Sequence, residues 1–299
     1  MIRFISHILP RIGVDFLNRR EIKLTAKSRA AQAGKPAKLL TLVTLISQAV
    51  LLGLQYAANE LSAHIGSSSN YLSATVASGA RSLLLSLAIG LVIQAVMQMI
   101  RAGYTLGALR IHRQEEVPMN TLLEGFYMPL RVILLEIMHT LLLIAWSYAF
   151  LIPISFLVSL GYGLFASSAD LAAMLTDPTN AAVGLTIGVG VLTVLVMWIV
   201  SYRYRMIWFL LMDHPDASPW QLLRTSSAMT QGHRWELFLL DLSFLPWFLL
   251  CGLTLGILLI WKGPYFAAAY AGAYESMCED LKARQQRAQE LRQQYPPHS

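Results

Sequence analysis

Charge is what this 299-residue chain has least of: 13% of its residues are Asp, Glu, Lys or Arg, against ~25% in typical soluble proteins. That shortage of solvating groups argues against an ordinary soluble enzyme. With 56% hydrophobic residues it also argues against disorder. Cysteine is nearly absent too. Cys251 and Cys278 fit no metal spacing and exclude a disulfide scaffold. Cys251 sits inside an apolar run and reads as a buried free thiol. What replaces charge is a series of apolar blocks too long for a soluble core, with mean hydropathy +0.52.

The few charges are asymmetric in sign, 23 Lys and Arg against 17 Asp and Glu. The cations flank the apolar blocks, where they set orientation and meet anionic lipid headgroups. They form no basic surface for nucleic acid.

A helix needs about 20 mostly apolar residues to cross roughly 30 Å of hydrocarbon. Five stretches qualify: Leu39–Ala58, Ser82–Ile100, Val132–Leu160 with Pro153 as its expected kink, Ala182–Met212 (uncharged until Arg203), and Trp235–Trp261. The last two tryptophans stand 26 positions apart, about 39 Å at the helical rise, which matches the spacing of two headgroup belts. A sixth, shorter stretch is PYFAAAYAGAYESMC, Pro264–Cys278. Nine Lys and Arg precede the first span, and residues 101–131 and 203–234 carry four Arg each, whereas residues 60–81 and 161–181 hold only Arg81. This alternation predicts six helices with both termini cytoplasmic in a bacterial inner membrane. The fold class expected is therefore an all-α, polytopic transmembrane helical bundle. It has a basic leader (1–38), a membrane domain (39–280) and a polar tail (281–299).

Residues 1–20 have no continuous apolar core for a signal peptide and instead suggest an amphipathic leader on the cytoplasmic leaflet. Two connectors, Gly103–Phe126 and Asp216–Gly232, read as amphipathic. In the second, Asp216 or Ser218 caps, Pro219 suits the first turn and Gly232 stops the helix.

The last third carries a resemblance. SYRYRM (201–206), DHPD (213–216), GHRWELFLLDLSFLPWFLL (232–250), LTLGILLIWKGPY (253–265) and the helix around Tyr274, with EIKLTAK (21–27) before the first span, resemble the bacterial integral-membrane domain-of-unknown-function family 975. Pro246 and the long basic leader depart from that pattern. The resemblance implies a multi-pass membrane protein and carries over no catalytic residue.

Ionisable groups at membrane depth are expensive and usually face a bundle interior or a wet cavity. Glu136 and His139 share a helix face, Gln94 and Gln98 share another, Arg203 and Arg205 end the uncharged part of the fourth span, and Asp241 lies about 9 Å into the fifth by the helical rise. All fall in the inner half. They read either as a bundle lock, Arg203 or Arg205 with Asp241 or Glu136, or as an inward-open cavity for a cation, proton or polar headgroup, or as groups snorkelling to the interface. A single Glu-x-x-His is too little for a di-iron bundle, and zincin, P-loop and nucleophile-elbow patterns are absent from the sequence. The expectation is thus no metal, no cofactor and no enzyme. Gly184-x-x-x-Gly188 and Gly252-x-x-x-Gly256 suggest close helix packing or a homodimer. The functions left open are an accessory or assembly subunit docking a protein partner through its cytoplasmic helices, and a transporter or lipid-handling protein using the inner cavity.

Overall fold

The computed structural model describes residues 19–66, 72–165 and 178–294. The leader before Arg19 and most of the two outer loops lie outside the described residues. Every regular element among the described residues is helical, and none is a strand. The described residues form eight α-helices: α1 Arg19–Gly66, α2 Leu72–Arg113, α3 Pro129–Phe165, α4 Pro178–Ser201, α5 Ile207–Asp213, α6 Pro219–Met229, α7 Arg234–Leu253 and α8 Ile257–Gln294. Two 3-10 segments, Met119–Tyr127 and Tyr202–Tyr204, stand between them.

Among the described residues five helical stretches are long and apolar enough to cross a membrane: Arg19–Ser62, Ala80–Arg113, Pro129–Leu157, Ile187–Asp213 and Arg234–Leu253. Their most apolar windows are at most 22% buried inside the protein, and that of α3 not at all. Leu134, Ile137, Leu141, Ile144 and Phe156 of α3 point outward, as do Ile187, Val194 and Ile199 of α4. Water would not tolerate so large an apolar exterior. The chain is a membrane-spanning helical bundle.

α1, α2 and α8 pack along one another and form its centre. α1 has 48 residues, more than twice what a bilayer requires. It bends at Gly34, whose φ of 56° suits glycine, just before Pro36, which cannot continue the hydrogen-bond ladder. The part of the basic leader from Arg19 to Lys38 is thus helical and partly packed, with Ile22, Ala26 and Ala37 buried.

α8 runs back from the Leu255–Gly256 turn until Arg284 meets Gln231 and His233 beside the start of α7, and within it Pro264–Cys278 falls short of the length and hydropathy of the five spans. It is the buried part of α8: Phe266, Ala268, Ala269, Ala271, Ala273 and Tyr274 are all enclosed. Its small residues let backbones approach closely. A Cβ on Gly263 would stand 2.4 Å from the Thr41 side chain of α1, and one on Gly272 would stand 2.7 Å from the His112 ring of α2. A short apolar run serves a buried core as well as a lipid crossing.

Three readings are corrected. Trp235 and Trp261 do not share a helix, because the chain turns at Leu255 (φ 50°) and Gly256 (φ 83°) between α7 and α8. The 39 Å belt spacing therefore does not apply. Gly103–Arg113 is not a surface connector but the continuation of α2, with Ala102, Thr105, Ala108, Leu109, Ile111 and His112 buried. Within the chain Gly188, Gly252 and Gly256 are not sites of close approach, with nothing within 4 Å of a Cβ placed on any of them; the homodimer alternative concerns a second copy. The surroundings of Gly184, within α4, lie outside the described residues. The second connector forms α6, with Ser218 capping Gln221 in a reciprocal capping box, Pro219 in the first turn, and Gly232 at φ 97° beyond its end.

Candidate functional site: a polar seam beside an inner cavity

The seam begins where α4 tightens into a 3-10 turn. At three residues per turn, side chains three apart eclipse, so Tyr202 and Arg205 point the same way, toward α7. There Asp241 accepts three hydrogen bonds, from the Tyr202 hydroxyl (2.7 Å), the Arg205 guanidinium (2.9 Å) and the Tyr270 hydroxyl of α8 (2.6 Å). The guanidinium lies between two aromatic rings, 5.3 Å from the centre of Tyr202 and 5.0 Å from that of Tyr270. Charge, hydrogen bonds and ring faces all compensate it.

Arg203 points elsewhere. Its Nε donates to Ser227 Oγ, and its carbonyl accepts from the hydroxyls of Ser226 and Thr230 of α6. Of the two arginines, Arg205 pairs with Asp241 and neither pairs with Glu136. Glu136 instead accepts from the Gln98 amide at 3.0 Å, and its other oxygen stands 3.8 Å from His139 Nδ1. The His139 ring meets Tyr204 edge-on at 6.0 Å. Glu136 Oε2 and Gln98 Oε1 are buried acceptors with no hydrogen-bond donor. Gln94, one turn from Gln98, is exposed and stands apart from the seam.

Beside the seam is a cavity of about 460 Å³ between α2, α3, the 201–209 stretch and α8. That is the size of a small-molecule site. His139, Arg205 and Tyr270 form part of its wall, and so does Arg101. The Arg101 guanidinium lies 5.4 Å over the Trp208 ring and makes no ion pair among the described residues. The remaining wall is mostly apolar, with Leu143, Met206, Ile207 and Phe209. Sequence reasoning placed Arg101 in a connector and missed Tyr202, Trp208 and Tyr270. A signal for Arg101 was present: it lies three residues after Gln98 and so shares its helical face.

A second set of charges ties the helix ends together. Arg113 at the end of α2 bonds both Asp213 of α5 and Glu275 of α8, and Tyr274 also donates to Asp213. Arg29 of α1 donates to the His112 carbonyl. Arg131, at the start of α3, reaches Pro215 and Asp216. His233 is buried with its two ring nitrogens against Glu236 (2.8 Å) and Asp280 (3.0 Å). Burial works against ionisation of Asp280, but hydrogen bonds from His233 and Arg284 outweigh it and hold its pKa below the ordinary carboxylate value. The described residues contain no group of three or more His, Cys, Asp or Glu able to hold a metal.

The family described as protein of unknown function (DUF975) matches residues 17–280. The chain belongs to that family. No curated protein and no solved structure matches it. The DUF975 match begins just before α1 and ends at Asp280, the residue that ties α8 to His233. It therefore takes in the whole seam and the cavity.

Proposed function

We propose that this DUF975 protein holds an amphiphilic ligand, a lipid or lipid-like solute, in its inner cavity, and serves binding or transport rather than catalysis. The observation that carries this reading is the cavity of about 460 Å³, with arginine and histidine on one part of its wall and aliphatic and aromatic side chains on the rest. A docking role for α6 has less support, because Leu222, Leu223, Ser226 and Met229 turn into the bundle. Native mass spectrometry of the protein released from lipid nanodiscs tests the reading. The expected result is one retained molecule of lipid-like mass per chain; a bare chain overturns it.

The proposed setting is a bacterial cytoplasmic membrane with both termini inside. The support is that Arg113, Arg131 and Arg234 stand at helix ends, that Arg29 and Arg284 reach the same level at His112, Gln231 and His233, and that ion pairs join α2, α5 and α8 there. Cytoplasmic segments are enriched in such cations. A phosphatase that works only outside is expected to be silent when fused after Ser299 and active when inserted between residues 67 and 71. The reverse pattern would reject the orientation.

A further inference from the structure

Resting on that reading of the cavity, we propose that Arg101 makes it a site for a phosphate-bearing anion, the headgroup of an anionic amphiphile. Two arginines border the cavity, and their surroundings differ. Arg205 is already neutralised by Asp241 and held between two tyrosine rings. Among the described residues Arg101 has no carboxylate within ion-pair distance; Glu136 acts on it at longer range and is engaged by Gln98. Arg101 is itself exposed at the cavity edge, so its guanidinium is open to a ligand, and at membrane depth an incoming anion would compensate a cation that no carboxylate touches.

The position of Arg101 over Trp208 supports the same assignment. A cation–π contact with the ring ties up no carboxylate, and a guanidinium fork matches two phosphate oxygens at once. His139, Ser201 and Tyr270 add polar groups to the same wall. The aliphatic and aromatic remainder suits the glycerol and first methylenes of an acyl chain. The volume takes a headgroup with a short length of chain, not a whole lipid, so the acyl tails would leave toward the bilayer. A lipid phosphodiester and a soluble phosphoester share this recognition chemistry.

The test uses the full chain in nanodiscs and native mass spectrometry, with phosphatidylglycerol and phosphatidylcholine as probes. Wild type is expected to retain one phosphatidylglycerol with about tenfold preference, a modest yield for a charge-assisted fork. Arg101→Gln should lose that preference, Arg101→Lys should keep part of it, and Arg224→Gln, an exposed arginine of α6, should bind as wild type. Displacement by sn-glycerol 3-phosphate assigns the site to a soluble phosphoester, and resistance to it assigns the site to the lipid. Both outcomes support the anion site. If Arg101→Gln does not fold, Arg101→Lys decides, since equal binding by lysine and arginine removes the role of the fork. Retention of phosphatidylcholine as well as phosphatidylglycerol, unaffected at residue 101, overturns the anion site and leaves the amphiphile cavity standing. Retention of neither lipid overturns both.

Discussion

Asp241→Ala is expected to destabilise the protein by about 3 kcal/mol, the low end for breaking a buried ion pair by removing one partner. The low end applies because the Arg205 side chain keeps 31% of its exposure while Asp241 keeps 16%. The carboxylate is the common acceptor of Tyr202, Arg205 and Tyr270, which come from the turn after α4 and from α8. Its loss leaves one guanidinium and two hydroxyls without their acceptor, and three elements lose the point at which they meet. Thermal unfolding in nanodiscs, followed by circular dichroism, measures the effect. Removing both charges separates a charge effect from simple loss of packing. Asp241→Ala combined with Arg205→Met should be markedly more stable than Asp241→Ala alone, because no uncompensated cation remains. If Asp241→Ala melts with wild type, the seam is not what joins these helices.

The charge pattern made much of this legible. Apolar length alone marked the five long helices, and the start and stop of α6 could be read from Asp216 or Ser218, Pro219 and Gly232 because such signals are local. Arg205 with Asp241 was one of several pairings that depth allowed. What selects it over Arg203 is the 3-10 turn at Tyr202–Tyr204, which sets the side-chain directions and leaves no mark in hydropathy. Tyr270 was hidden for another reason. Pro264–Cys278 looked like a short span because its alanines are apolar, whereas its small side chains serve close packing inside the bundle. The turn at Leu255–Gly256 was hidden by an apolar run that continues through it. Glycine spacing misled most. The Gly-x-x-x-Gly pattern is common, and contact depends on which residues face the neighbouring helix, which spacing within one helix does not specify.

Gly103 and Gly125 show where that contact is. The 3-10 segment Met119–Tyr127 lies against α2 so closely that a Cβ on Gly125 would stand 2.0 Å from the Met99 carbonyl oxygen, and one on Gly103 would stand 2.3 Å from that of Leu122. Both obstacles are backbone, so neither can rotate away, and the segments must separate. Gly125→Ala and Gly103→Ala are each expected to lower stability by about 3 kcal/mol, the upper part of the range for overpacking. Gly188→Ala is the contrast. It lies in a helix with nothing within 4 Å of the new methyl, so better helix propensity predicts no loss and a gain of about 0.5–1 kcal/mol. Thermal unfolding of the three variants reads the difference, and equal melting of Gly125→Ala and Gly188→Ala would sink the account. The same contact reaches the cavity. Arg101 lies between Met99 and Gly103 on the turn of α2 that the 3-10 segment presses against, while Arg110, Thr121 and Glu124 hold that segment in place by hydrogen bonds and an ion pair. Displacing the segment shifts the turn that aims Arg101. Gly103→Ala protein that still folds should therefore lose its preference for phosphatidylglycerol along with part of its stability, although residue 103 itself touches no ligand.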